Sequence, residues 1–182
     1  MIFRTPIKYC KNCGTAVVYR QPDDGDTKNR AVCPACNTVH YENPLNVAGT
    51  VPIWGDKVLL CKRNIEPRKG KWTLPAGFME LDETTSEGAA RETVEEAGAQ
   101  FDMQALFSVL SVPKVGQVHL FYRAKLTSDQ FDPGYETQEA KLFTEAEIPW
   151  DEIAFRTVKV TLERFFADRA FGVFGVHQVD IL

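Results

Sequence analysis

The chain has 182 residues, 44% hydrophobic and 25% charged, a globular composition with room for one core and a small appendage. Twenty-one basic against 25 acidic side chains leave a net charge of −4, which argues against a general binder of nucleic acid or anionic membrane. No apolar run approaches the roughly 18 residues of a membrane span, and residues 1–6 (MIFRTP) lack the apolar stretch of a signal peptide, so a cytoplasmic location is expected.

Residues 1–42 form the first region. They carry two Cys-x-x-Cys pairs, Cys10 with Cys13 and Cys33 with Cys36, separated by nineteen residues that include the turn-rich run QPDDGD. Each pair places two sulfurs on one side of a backbone knuckle, and two knuckles complete a tetrahedron suited to structural Zn²⁺. Four thiolates leave no open coordination position, so this metal is expected to hold together a piece too small to fold alone. Nucleic acid is not an expected partner, because a net charge of +2 with Tyr9, Tyr19 and Tyr41 is a thin footprint. The fifth cysteine, Cys61, lies in an apolar strand and reads as a small core residue. An odd count without a leader speaks for reduced thiols rather than a disulfide framework.

From Leu45 the texture changes, and 45–182 reads as a second domain. Aliphatic and β-branched residues predict strands over 46–54 and 57–62, joined by a Gly55-Asp56 turn. A loop rich in proline, glycine and charge follows over 64–71, then a short strand over 72–75. A helix is predicted over 85–97, with Thr84 and Glu87 spaced as a capping box and Gly98 as the stop. Strands over 101–111 and 118–126, a loop over 127–138, a strand over 140–144 and a helix over 156–170 complete the chain, with a further strand within 173–181. Strands before, between and after two helices, without regular alternation, predict a mixed α/β (α+β) sandwich.

The chemistry concentrates in the stretch 77–99, GFMELDETTSEGAARETVEEAGA. At about 100° per residue, Glu92, Glu95 and Glu96 fall on one side of the helix and Ala90, Val94 and Ala97 on the other. The expectation is that the alanine side lies on a sheet while the carboxylates converge toward solvent. Like charges at such spacings destabilise a helix, so a cation belongs among them, and hard oxygen donors suit Mg²⁺ or Mn²⁺. Gly88 leaves room beside the cluster, and Arg91, between Glu87 and Glu95, can hold a carboxylate by its fork of donors. A merely solvated acidic face is the bland alternative. Against it, the stretch carries net −6, while 62–71 just upstream carries +4. A basic loop beside an acidic, metal-like helix fits a phosphate–metal substrate.

The run Gly77, five residues, Glu83, seven residues, then Arg91-Glu92-Thr93-Val94-Glu95-Glu96-Ala97-Gly98-Ala99 resembles the signature of the Nudix hydrolases. Thr93 and Ala99 stand where that family has bulkier aliphatics, on packing positions. The resemblance covers about residues 45–170 and implies a Nudix-type αβα sandwich with a mixed sheet, preceded by the small zinc ribbon. It implies Glu92 and Glu96 as principal metal ligands, with Glu95 joining them, the Gly77 carbonyl contributing and Glu83 at the edge. The ribbon, with YENP at 41–44 and IEPRKGKWTLPAGF at 65–78, looks like a bacterial and plastid subgroup of FAD and ADP-ribose pyrophosphatases. The SQPWPFP motif of zinc-ribbon NADH pyrophosphatases does not occur between Ala99 and Leu182.

The expected activity is therefore metal-dependent hydrolysis of the pyrophosphate in a nucleoside diphosphate linked to another moiety, FAD or ADP-ribose ahead of NADH. Arg63, Arg68 and Lys71 are expected to neutralise charge on the substrate. By analogy with related enzymes the general base comes from the box or from a later loop, where Glu136 and Glu139 are the candidates. Phe78 and Tyr135 could stack on a base, although the core is the plainer place for Phe78. Nudix enzymes of this size are often dimers, so a homodimer is expected. The alternatives are an NADH pyrophosphatase, or a zinc-ribbon binding module carrying a non-catalytic Nudix scaffold.

Overall fold

A computed structural model describes residues 5–182; the leader-free reading of the chain's start rests partly on residues 1–4, which lie outside the described residues. The chain divides into two compact units, Met1–Asn43 and Pro44–Leu182.

The first unit carries β1 (Val18–Arg20), β2 (Arg30–Val32) and β3 (Val39–His40) in an antiparallel sheet of that order. Strands this short bury little, and the loops between them are pinned by side chains instead. Arg30 pairs with Asp26 at 2.8 Å, and the Tyr41 hydroxyl donates to Asp24 at 2.6 Å.

The second unit is built on β4 (Leu45–Trp54), β5 (Lys57–Arg63), β8 (Phe101–Val112), β9 (Gln117–Leu126), β10 (Thr137–Phe143) and β11 (His177–Asp180), in the order β10-β5-β4-β9-β8-β11. β4 with β9 and β8 with β11 run parallel, and the other neighbours run antiparallel. Two short strands, β6 (Trp72–Thr73) on β5 and β7 (Ala76–Phe78) on β4, fill the place where the sequence predicts one strand. Pro75, which has no N–H to give a ladder, stands at the break, and its carbonyl accepts from Thr50. The chain can cross there only because residue 49 is glycine: a Cβ would lie 2.3 Å from that of Ala76.

Helices α1 (Thr85–Ala97) and α2 (Arg156–Phe171) cover the two faces of the sheet. The apolar run of β5 explains why. Val58 and Leu60 enter the larger core, with Phe107, Phe121, Leu162 and Phe165, on the α2 side. Leu59 and Cys61 enter a smaller cluster with Ala97, Ala99 and Leu126 on the α1 side. A strand buried on both faces needs no polar alternation. The αβα sandwich with a mixed sheet follows. No helix among the described residues is long and apolar enough to cross a membrane.

Candidate functional site

α1 begins and ends where its caps require. Thr84 and Glu87 form a reciprocal capping box, and Gly98, at φ 59°, donates its N–H to the Val94 carbonyl. Its rotation about its own axis differs from the expectation. The stripe facing the sheet is Ala89, Thr93, Glu96 and Ala97, while Val94 is half exposed. The Thr93 hydroxyl sets that rotation: it donates to the Ala89 carbonyl and meets Thr50 Oγ1 on β4, each at 2.7 Å. An aliphatic side chain at 93 could not make that pair.

Glu96 is therefore buried at 7% exposure rather than turned to solvent. Its Oε2 accepts from the Ala76 N–H at 3.1 Å, on the backbone of β7. Burial pushes its carboxyl up to about 8, with Glu92 and Glu136 adding repulsion against the relief from Ala76 and Arg63. Glu92 lies over β7 as well. A Cβ at Gly77 would stand 2.3 Å from its carboxylate, so only glycine lets the two meet. Burial also raises Glu92, partly offset by Arg91.

Arg91 does more than join its helical neighbours. Nε and Nη2 fork onto Glu83 at 3.0 and 2.9 Å, Nη1 reaches Glu92 at 2.7 Å and Glu95 at 3.1 Å, and Nη2 also reaches the Phe78 carbonyl at 3.1 Å. Glu87 is not among its partners, because the cap has taken it. The Arg91 fork and the Glu80 N–H hold Glu83 down to about 2. Gly88 serves Glu83: a Cβ there would come 2.6 Å from Glu83 Oε1.

Glu136 is exposed on the loop, and its charge adds to the repulsion that raises Glu92 and Glu96. Glu139 stands in β10 opposite Lys62, past a register shift, and is exposed. Of the three basic candidates, Arg63 brings its charge to Glu96, while its Nε donates to the Pro67 carbonyl at 2.9 Å and its guanidinium lies over the Phe155 ring. Arg68 is exposed in the loop, at φ 67°, and its carbonyl accepts from the Lys71 N–H. Tyr135 and Phe78 are exposed, at 87% and 43%. Cys61 is buried, and its thiol is pushed well above the ordinary range, so it is a core residue rather than a nucleophile.

The chemistry of Glu92 and Glu96 would suit a divalent cation, although among the described residues only the four cysteines bring three or more ligand atoms within 4.8 Å of one another. A carboxylate lifted by burial, with one N–H for company, is what a bound positive charge relieves, and the Gly77 backbone lies against the Glu92 carboxylate with no side chain between them. Sequence reasoning grouped these residues but missed the Ala76 N–H, which no side-chain pattern records.

In the first unit the four sulfurs of Cys10, Cys13, Cys33 and Cys36 lie within 4.8 Å of one another. Contacts of 3.5 and 3.6 Å between them approach the about 3.8 Å edge of a zinc tetrathiolate tetrahedron. The two knuckles match. The residue after each pair, Gly14 and Asn37, has positive φ and donates its N–H to the first cysteine's carbonyl. Thr15 and Thr38, one further on, set their hydroxyls against Cys13 and Cys36, lowering both thiols, Cys36 to about 6.

Residues 44–163 match the family described as NUDIX domain, and residues 8–42 match a zinc-ribbon family described as Nudix N-terminal. A Nudix hydrolase from Nitrosomonas europaea superimposes with a TM-score of 0.92 at 49% identity, over 96% of this chain and 99% of that one. An ADP-ribose pyrophosphatase of Methanocaldococcus jannaschii is 30% identical over 58% of this chain and 63% of its own. An NAD-capped RNA hydrolase NudC of Photobacterium profundum is 26% identical over 78% of this chain and 51% of its own. The chain thus spans between half and two-thirds of the length of these two curated relatives.

Proposed function

The chain belongs to the Nudix hydrolase family, and from that premise we propose that it hydrolyses the pyrophosphate bond of ADP-ribose or a related nucleoside diphosphate derivative to two monophosphates. The observation that carries this reading is Glu96, held buried and ionisable against β7 beside Glu92.

Glu92, Glu95, Glu96 and the Gly77 carbonyl would hold a Mg²⁺ or Mn²⁺ ion, which when bound would supply a more acidic water and positive charge for the diphosphate oxygens. The chain's own groups do the rest. Arg91 keeps Glu83, Glu92 and Glu95 in register. Arg63 at the end of β5, with Arg68 and Lys71 from the loop that follows, offsets charge that builds on the phosphates. Glu136, exposed and close enough for its charge to be felt at Glu96, accepts the proton of the attacking water. Glu139, opposite Lys62 in β10, is the second candidate.

ADP-ribose stands ahead of FAD because the relative from M. jannaschii bears that activity in its name and is 30% identical over 109 residues. NAD-like dinucleotides are the second reading, favoured by the NudC relative, whose match covers 78% of this chain. Structural zinc in a ribbon of residues 1–42, a catalytic domain of 45–182, a homodimer and a cytoplasmic location belong to the same proposal. The test is kcat/KM for ADP-ribose, FAD, NADH, capped RNA and a nucleoside triphosphate at equal Mg²⁺, since only that ratio reports discrimination. A lead of more than about tenfold for NADH, capped RNA or the triphosphate, roughly 1.4 kcal/mol, would overturn the substrate choice.

A further inference from the structure

The geometry points to Asn64 as a positioning residue that holds the Glu136 loop at the carboxylate site. This rests on the reading of Glu136 above. Asn64 opens the loop after β5 and bonds across more than seventy residues of sequence to both sides of Glu136. Its Nδ2 donates to the Tyr135 carbonyl at 2.9 Å, and its Oδ1 lies 3.5 Å from Gln138 Nε2. Its backbone N–H donates to the carbonyl of Glu136 itself at 2.7 Å.

The loop needs such a hold because its regular pairing stops short of Glu136. Thr137 opposite Arg63 is the last rung between β10 and β5, and it is separated from the regular ladder by a register shift between Thr137 and Glu139. On the other side the chain turns through Gly134, whose carbonyl accepts from the Thr137 N–H at 3.0 Å. Gly134 is pressed so close to the Glu95 carbonyl that a Cβ would stand 2.1 Å from it. Glu136 therefore sits between a turn packed on the end of α1 and a rung on β5, and Asn64 fastens the residues on either side of it. The Glu136 side chain is exposed, so its aim depends on this backbone rather than on packing. Asn64 is half-buried, uncharged and outside the Nudix signature, and its side chain reaches the loop only at backbone or amide groups.

The test uses the full chain with ADP-ribose and Mg²⁺, comparing wild type, Asn64→Ala, Asn64→Asp, Glu136→Gln and the Asn64→Ala/Glu136→Gln pair. Asn64→Asp keeps the shape but loses the donor, so it guards against a misfolded alanine variant. Both Asn64 variants should lower kcat by about tenfold with KM within about twofold of wild type, and Asn64→Ala should cost nothing further once Glu136 is glutamine. Losses that multiply, or an undiminished kcat in the Asn64 variants while Glu136→Gln is impaired, would overturn the inference. Full activity in Glu136→Gln would overturn the role of Glu136 and this inference with it. Hydrogen exchange supplies an arm independent of turnover: in Asn64→Ala the amides of 134–138 should exchange about tenfold faster while those of α1 keep their rates. Unchanged exchange would show that Asn64 does not hold the loop, even if ADP-ribose proves not to be the substrate.

Discussion

Glu96 occupies a position on α1 that a soluble helix ordinarily gives to an aliphatic residue, and the cost of that choice is readable in its raised carboxyl. Glutamine would keep the shape and the bond from Ala76 while removing the charge. Glu96→Gln should therefore fold as well as wild type and melt no lower in metal-free buffer, yet lose at least about a hundredfold in kcat, equivalent to about 2.7 kcal/mol. A collapsed fold would mark the carboxylate as structural. His119, on β9, is a half-buried group of the opposite kind: it packs near Phe121, meets Gln117 at 2.9 Å, and desolvation lowers its ring to about 4. The unfolded chain takes up a proton near the ordinary imidazole value while the folded chain refuses it. Stability supplied by this group is thus complete above about pH 6.5 and is lost as pH falls toward about 4. His119→Gln should shrink the drop in urea midpoint between about pH 7 and pH 5 relative to wild type. An equal drop in both would show that the folded ring takes the proton.

At the scale of the element, α1 shows how a helix can be legible at both ends and misread around its axis. Thr84, Glu87 and Gly98 fix its limits by local chemistry, so residues 85–97 were recoverable from sequence alone. Its facing was not, because the stripe that meets the sheet includes Thr93 and Glu96, while Val94 is left half exposed. The partner of Thr93 lies forty-three residues away on β4. Since the Thr93 hydroxyl donates to Ala89, Thr50 must be the donor to Thr93. Thr93→Val would leave that buried donor without an acceptor and should destabilise by about 1–3 kcal/mol in a denaturant titration. Adding Thr50→Val should recover most of the loss, because a pair of apolar groups leaves no orphan. If the second change instead deepens the loss, packing rather than the hydroxyl pair holds the helix.

Across the whole molecule, four sulfur donors stand together in Met1–Asn43, and the carboxylates of α1 lie in Pro44–Leu182. Brief treatment with EDTA should abolish hydrolysis, and added Mg²⁺ should restore it, while about one zinc per chain stays bound. Cys33→Ser should do the reverse, losing the zinc while leaving the Mg²⁺ requirement unchanged. Zinc lost together with activity on brief EDTA treatment would mean that the two sites are not separable. By itself the sequence determined the cysteine quartet, the box, the positions of the main strands along the chain and the limits of both helices. Each of these is written in residues a few positions apart, where spacing and local capping act. Only the tertiary structure decided that Glu96 is buried and that Arg91 binds Glu83 instead of Glu87. Those outcomes depend on the rotation of α1 against β4 and on Gly77 admitting Glu92, contacts between segments that local patterns do not encode.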